Sequence, residues 1–353
     1  MEPYKNILII KMSSLGDVLH ALPTLHALRQ NCPRARIVWA VHENFSALLP
    51  EKPFIDDIVY VDKKKLKKLS YWFELRKTLH AYHFDLSIDL QGLAKSAIVA
   101  FNSGARKKVG YWEMREGSCL ISKGLKGPHA YDHVIERYLD VVRCLGGTVN
   151  DVEFPLASIE KERVEVAAKL ATLTGGKPYI VVVPGTRRAV KEWPVDYWAN
   201  FVARVAYSGM YTVLLGSADD EEKGRLICEG VCFYCKEAGD YVINKIGYTS
   251  LKELTAYIEG ATLFVSVDTG PLHIANALKK ELIALFGPTS PERTGPYGGK
   301  NGDYIHLVVS PTSTATTEHP VTDDPECMKA ITVDSVWQTY EEVMEKRNDR
   351  LNE

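Results

Sequence analysis

The feature that most constrains this chain is an alternation that occurs twice. Short runs rich in β-branched and apolar residues are each followed by a stretch whose apolar residues recur at helical spacing. Such alternation marks a parallel sheet with crossover helices. In the first half the predicted strands are 6–11 (NILIIK), 36–41 (RIVWAV), 57–61 (DIVYV) and 84–90 (FDLSIDL), with a helix over 129–146 that stops at a glycine pair. In the second half they are 178–185 (PYIVVVPG), 211–217 (YTVLLGS), 262–268 (TLFVSVD) and 281–287 (ELIALFG), with helices near 194–207, 219–229, 250–260 and 271–279.

At 353 residues the chain exceeds what one hydrophobic core usually serves, so two α/β domains are expected, each a Rossmann-like doubly wound sheet. The first is placed at 1–155 and the second at 178–330. The charged, small-residue stretch 156–177, with a helix and a Gly-Gly break, forms the junction. Residues 331–353 are read as a last helix and tail, the helix near 334–346 returning toward the first domain. The polar, proline-containing segment 310–325 is a loop. Two halves built alike make a cleft, and ligands of doubly wound sheets sit beyond the carboxyl ends of the strands.

Charge and cysteine content narrow the function. The formal net charge of −2 gives no general attraction for nucleic acid, so any basic site is local. Seven scattered cysteines do not resemble a secreted disulfide scaffold and suit a reducing cytoplasm. The apolar run 7–10 is too short for a signal peptide, and no stretch approaches the roughly 20 apolar residues that span a bilayer. The spacing C-x3-C-x2-C at Cys228, Cys232 and Cys235 suggests a metal cluster, but its place in a helix-to-strand passage favours buried, inert thiols.

Three motifs lie where a strand hands over to a helix. In KMSSLGDVLHALP, 11–23, Ser13, Ser14 and Gly16 form a tight turn with exposed amides, and Asp17 sits near a helix N-terminus. The alternative for Asp17 is a plain helix cap. Pro23 should bend or delay the helix. The turn is not GxGxxG, which removes the main support for a hydride-transfer enzyme. In VSVDTGPLHIANAL, 265–278, Asp268 ends a strand and Thr269, Gly270, Pro271 and Leu272 open a helix whose amides can hold an anion, with His273 in the first turn. Asp268 as a cap and His273 as a hydrogen-bonded surface or core residue remain the bland alternative. In VVVPGTRRAVKEWP, 181–194, Thr186, Arg187, Arg188 and Lys191 can clamp a diphosphate and meet its charge as it leaves.

Weaker candidates complete the set. Asp220 or Glu221, just past a strand, can accept hydrogen bonds from a ribose, or simply occupy the first turn of a helix. The run VDKKKLKKL, 61–69, places Lys63, Lys64, Lys65, Lys67 and Lys68 together, either as a solvated face or as a site for an anionic acceptor or phospholipid headgroups. LQGLAKSA, 90–97, which holds Lys95, together with Arg115 and His133, adds polar positions in the first half.

Taken together, KMSSLGDVLHALP, LQGLAKSA, the Lys191 and Trp193-Pro194 segment and VSVDTGPLHIA resemble, in order and separation over nearly the whole chain, the lipopolysaccharide heptosyltransferases of glycosyltransferase family 9, above all the heptosyltransferase I branch. The resemblance implies a GT-B fold, with two Rossmann-like domains facing across a cleft. It further implies a nucleotide-sugar donor, ADP-heptose, and a 3-deoxy-manno-octulosonate acceptor on lipid A at the cytoplasmic face of the inner membrane. No metal or other cofactor and no nucleic acid are expected, and a monomer is. Carried over by position, Asp17 looks like the general base, supported by Ser13, Ser14 and Gly16. Lys191, Thr186, Arg187, Asp220, Asp268, Thr269, Gly270, Pro271, Leu272 and His273 look like the donor side. Lys64, Lys65, Lys68, Lys95, Arg115 and His133 look like the acceptor side. Arg187 stands where the family often has a second hydroxyl, and the lysine run stands where it often has arginines. Heptosyltransferase II, another family 9 transferase, a sugar-nucleotide epimerase and a non-catalytic nucleotide-binding protein remain the competing readings.

Overall fold

The computed structural model describes residues 4–298, 302–322, 324 and 326–352. Asp323 and Pro325 of the loop predicted over 310–325, and Glu353 of the tail, lie outside them. The chain divides into two compact units, Met1–Ser158 and Ile159–Glu353.

In the first unit the order is β1 (Asn6–Ile10), α1 (Leu15–His20), α2 (Leu22–Asn31), β2 (Arg36–Val41), β3 (Asp57–Tyr60), α3 (Leu69–His80), β4 (Leu86–Asp89), α4 (Ala94–Asn102), β5 (Lys107–Tyr111), β6 (Lys123–Leu125) and α5 (Val134–Cys144). The sheet runs β3-β2-β1-β4-β5-β6 with every described pair parallel. At its centre Ile9 lies between Trp39 on β2 and Ile88 on β4. Leu8, Ile10, Val38, Ala40, Leu75, Leu79 and Val99 form a core under α3 and α4. Each of the larger side chains, the alanine aside, contributes roughly 1.5–3 kcal/mol on burial. Pro23 acts as predicted: it begins α2 after a break at Ala21, which separates the short α1 from the longer helix.

The second unit repeats the plan with α6 (Glu160–Thr174), β7 (Tyr179–Val183), α7 (Val195–Tyr207), β8 (Tyr211–Leu214), α8 (Glu221–Tyr234), β9 (Val242–Asn244), α9 (Leu251–Gly260), β10 (Leu263–Val267), α10 (Gly270–Ala277), β11 (Leu282–Phe286), α11 (Pro291–Thr294), β12 (Ile305–Val309) and α12 (Val333–Asn352). Its parallel sheet runs β12-β11-β10-β7-β8-β9. β7, β10 and β11 are buried along their whole length, as strands covered by helices on both faces must be.

Two expectations about boundaries are adjusted. Most of the stretch 156–177 is helix α6, which packs on α9 inside the second unit and ends at Gly175 in the left-handed region. The last helix packs on α7 and β12 of the second unit, with the Tyr340 ring edge-on to Phe201 and Val336 and Val343 in the same core. Four strands, β5, β6, β9 and β12, lie outside the predicted set. The helix expected over 129–146 starts at Val134, after a turn.

Both sheets place their reversal points where the motifs are. In the first, the chain moves outward from β1 through β2 to β3 and then returns to β1's other side as β4. In the second, it moves outward from β7 through β8 to β9 and returns as β10. The loops after β1 and β4, and those after β7 and β10, therefore flank a topological switch point in each unit. Doubly wound sheets bind ligands at such points.

Candidate functional site

On the first unit the loop leaving β1 is built around Asp17. Ser14 is the N-cap of α1, and both its backbone N–H (2.9 Å) and its hydroxyl (2.7 Å) donate to Asp17 Oδ2. That is the capping arrangement weighed from sequence, yet it employs only one carboxylate oxygen. Oδ1 lies 3.7 Å from Lys11 Nζ, and the Asp17 side chain is 43% exposed against 2% for Lys11. The cap fixes the rotamer while leaving the carboxylate open to solvent. The exposed amides expected of this turn are engaged instead, because Met12 N–H and Ser13 N–H donate to Gln91 Oε1 at the end of β4. Gly16 is buried.

Beneath Asp17 is a polar network that the sequence did not reveal. Lys11 Nζ donates to Leu90 O (2.8 Å) and to Tyr138 Oη (2.7 Å), and also lies over the Tyr138 ring. Asp89 is fully buried and accepts from Gln91 N–H, Gly92 N–H and the Ser96 hydroxyl. Burial pushes its carboxyl above the usual range, against those hydrogen bonds and the nearby Lys11 charge. Burial likewise holds the Tyr138 phenol well above its usual range, with Asp17 among the charges reinforcing this. Tyr138 therefore stays a neutral hydrogen-bond partner. The buried Lys11 ammonium thus faces the half-exposed Asp17 carboxylate from below.

The remaining first-unit candidates are dispersed. His133 is buried, caps α5 by accepting from Ile135 N–H (3.2 Å) and meets His20 of α1 edge-on at 5.7 Å. Its ring thus serves the structure next to the Asp17 helix. Arg115 is exposed, and its backbone N–H donates to Gly92 O in the loop that leads into α4, whose first turn carries exposed Lys95. Lys64, Lys65 and Lys68 are exposed around a 3-10 turn, Lys65–Lys67, beyond the edge strand β3, two strands from β1.

On the second unit three predicted residues come together and a fourth joins them. Lys191 Nζ is 2.5 Å from Asp268 Oδ2, with the two side chains 15% and 10% exposed. The Thr289 hydroxyl donates to the same oxygen (2.7 Å), and the Thr186 hydroxyl donates to Asp268 O (3.2 Å). Trp193, buried, fixes the loop by donating from Nε1 to Ile331 O (2.8 Å) and packing edge-on against Trp198. From sequence Lys191 is expected to be a free clamp. In the structure its charge is held by Asp268, which locks the end of the β7 loop to the end of β10. Thr269 is the N-cap of α10, followed by Gly270 and Pro271 in the first turn, with Leu272 and His273 buried behind them. Arg187 and Arg188 are exposed on the same loop as Thr186.

Asp220 is committed locally. Its Oδ2 accepts from Ser217 N–H (3.2 Å) and the Ser217 hydroxyl (2.7 Å), and Oδ1 is 3.4 Å from Lys223 Nζ. Its carboxylate also lies against Gly185, where an added Cβ would come within 2.2 Å of Asp220 Cγ. Asp220 is thus a cap that packs under the β7 loop. The three clustered cysteines are not buried as expected: Cys232 is exposed, and Cys228 and Cys235 are partly so. Cys228 within α8 and Cys235 at its C-cap still pack against the core of the second unit, and only Cys232 of the three is exposed. Among the described residues no group of three or more metal-binding side chains occurs, and no helix is long and apolar enough to cross a membrane.

With this geometry in view, residues 72–318 match glycosyltransferase family 9 (heptosyltransferase). The chain is similar to the lipopolysaccharide heptosyltransferase 1 of Escherichia coli (strain K12), with 28% identity over 306 residues that cover 83% of this chain and 91% of that one. It is 30% identical, with the same coverage, to the lipopolysaccharide heptosyltransferase 1 of Salmonella typhimurium (strain LT2). The lipooligosaccharide heptosyltransferase 2 of Haemophilus influenzae is 27% identical over 305 residues, 84% of this chain and 87% of that one. Among solved structures, a family 9 glycosyl transferase from Veillonella parvula superposes with a TM-score of 0.82 at 20% identity, covering 98% and 99% of the two chains. The E. coli heptosyltransferase WaaC with ADP gives 0.75 at 26% identity, covering 96% and 99%. Two parallel six-stranded sheets with flanking helices, matched over nearly their full length by these structures, make the fold GT-B. The chain is an enzyme of glycosyltransferase family 9, the heptosyltransferases.

Proposed function

We propose that this enzyme transfers heptose from ADP-L-glycero-D-manno-heptose to the 3-deoxy-manno-octulosonate of lipid A, by an inverting, metal-independent displacement. It would act as a peripheral protein at the cytoplasmic face of the inner membrane during assembly of the lipopolysaccharide inner core. The observation that carries the reading is the arrangement of Asp17. One of its oxygens is fixed by Ser14, the other is near the buried Lys11, and the group remains open to solvent. Asp17 takes the proton of the acceptor hydroxyl as that oxygen bonds to the anomeric carbon, and the bond from that carbon to the ADP oxygen breaks. The second unit meets the negative charge of the departing ADP with exposed Arg187, with Lys191 and with the amides that open α10. The E. coli relative solved with ADP supports the choice of nucleotide, and the relatives named lipopolysaccharide heptosyltransferase 1 support the acceptor.

A panel of ADP-, GDP- and UDP-sugars, offered with lipid A bearing the octulosonate, tests nucleotide, sugar and acceptor together. Acceptor-dependent ADP release with ADP-heptose alone is the expected result. Turnover only after a first heptose has been added to the acceptor would identify the heptosyltransferase II activity. Conversion of the donor without acceptor would point to an epimerase, and ADP binding without release to a non-catalytic protein.

A further inference from the structure

The Lys191–Asp268 pair has a third member, and a segment farther along the chain braces it. Asp268 Oδ2 accepts from Lys191 Nζ at 2.5 Å and from the Thr289 hydroxyl at 2.7 Å, while the Thr186 hydroxyl donates to the Asp268 carbonyl. The two side-chain donors are mounted differently. Lys191 reaches Asp268 through a flexible four-carbon stem from a 3-10 turn, Ala189–Lys191, on the loop after β7. Thr289 is buried, has a short side chain, and stands on backbone that is held on both sides. It bridges Val321, Ser290 N–H donates to Pro320 O (3.2 Å), and Thr322 N–H donates to Pro288 O (2.9 Å). Residues 320–322 are in turn knitted into the polar loop after β12. The Thr314 and Thr322 hydroxyls lie 2.9 Å apart, Thr316 N–H donates to His319 O (2.7 Å), and Arg293 Nη1 donates to Thr317 O (2.8 Å). The segment read from sequence as a plain loop is thus a brace under Thr289.

The difference in mounting matters because an anionic diphosphate competes for one donor and not for the other. The ammonium of Lys191 is drawn toward added negative charge, whereas a neutral hydroxyl fixed by its backbone is not. Drawing that ammonium away leaves the Asp268 carboxylate, only 10% exposed, with the Thr289 hydroxyl as its remaining side-chain partner. A buried carboxylate stripped of every donor is strongly disfavoured, and one retained hydrogen bond lessens the penalty. We propose that Thr289 is the positioning residue of the donor side: it keeps Asp268 in its orientation and so lets Lys191 be shared with, or released to, a diphosphate. Thr289 touches no reacting atom and acts through Asp268 and Lys191. The proposal rests on the preceding reading only for the presence of a diphosphate, and neither the sugar nor the acceptor enters it.

Calorimetric titration of the full chain with inorganic pyrophosphate tests this role without requiring turnover. Thr289→Val keeps the branched shape and removes the hydroxyl, so Lys191 becomes the sole side-chain partner of Asp268. That variant should bind pyrophosphate about tenfold more weakly, or 1.4 kcal/mol. Thr289→Ser keeps the hydroxyl and should bind within about twofold of the parent. Lys191→Met combined with Asp268→Asn removes one cation and one anion, which leaves the charge of the site unchanged. In that background Thr289→Val should alter pyrophosphate affinity by less than about twofold, because the pair through which it acts is gone. Thermal melts establish that each protein compared is folded. Undiminished binding by Thr289→Val overturns the proposal, as does a loss that serine fails to repair, which would make the contribution one of packing. An equal loss in the doubly substituted background also overturns it, by placing Thr289 against the anion itself, and so does a parent that binds no pyrophosphate. The expected pyrophosphate pattern in a parent that transfers no heptose would count against the donor and acceptor assignment and still support Thr289.

Discussion

Replacing Asp17 by asparagine separates the roles that the structure gives this residue. The amide oxygen of asparagine can accept both Ser14 hydrogen bonds now received by Oδ2, so the turn into α1 should persist. What is lost is the negative charge. Near a helix N-terminus that charge is worth about 0.3–1 kcal/mol. Its attraction to Lys11 at 3.7 Å adds about 1 kcal/mol, the lower end of the Coulomb range because Asp17 is 43% exposed. A total of about 1–2 kcal/mol lowers Tm by several degrees at most and leaves the protein folded at 25 °C. Loss of a general base, by contrast, slows turnover about 10²–10⁴-fold, or roughly 3–5 kcal/mol in the barrier. Acceptor-dependent ADP release and calorimetric ADP binding should show a fall in kcat of at least a hundredfold with an ADP Kd within about twofold of the parent. A folded variant that turns over within about fivefold of the parent would refute the assignment and leave Asp17 as a helix cap alone.

Further outcomes follow from the same geometry. Lys191→Met leaves Asp268 buried without its cation and should lower stability by about 3 kcal/mol or more, while adding Asp268→Asn should recover much of the Tm without restoring turnover. Thermal melts paired with ADP-release assays check this, and recovery of both properties would make the pair purely structural. Glu281 accepts a 2.6 Å hydrogen bond from His306, which with Arg350 and Arg347 holds its carboxyl below the usual 4.5. The depressed value means this stabilisation is present above about pH 4.5 and disappears as pH falls through the folded-state value. Glu281→Gln should therefore melt lower than the parent at pH 7 and converge with it in acid. Gly185→Ala would drive its methyl against the Asp220 carboxylate, at 2.2 Å from Cγ, and should destabilise the second unit by about 1–3 kcal/mol and weaken ADP binding. A melt and an ADP titration measure both effects.

The central strands were readable because they are buried on both faces and therefore nearly uniform in composition, as Tyr179–Val183 and Leu263–Val267 show. β6, β9 and β12 lie at sheet edges, where one side of the ladder meets no partner and short or polar runs suffice. β5 begins with two lysines, which hides its apolar end. The motif residues Asp17, Lys191, Asp268 and Thr186 stood out because strand-to-helix passages concentrate chemistry. Lys11 did not, since it reads as the polar end of a strand, and its partners Leu90 and Tyr138 are 79 and 127 positions away. Thr289 is brought to Asp268 only by the pairing of β10 with β11. Asp220 shows the converse: its tie to Ser217 three residues earlier is local and visible in sequence, and the structure retains it.

Helix α12 gives the two halves different histories during synthesis. The residues of the core under α3 and α4 precede the division at Ser158, so that layer can pack while the ribosome is still translating the other half. The second half cannot. Val336, Tyr340 and Val343 complete the same apolar cluster as Val182 and Phe201, and until they emerge the aromatic surface of α7 has nothing to cover it. A stalled or prematurely stopped chain would thus display a packed amino-terminal layer joined to a sticky, incomplete carboxyl-terminal half, the kind of nascent product that chaperones retain.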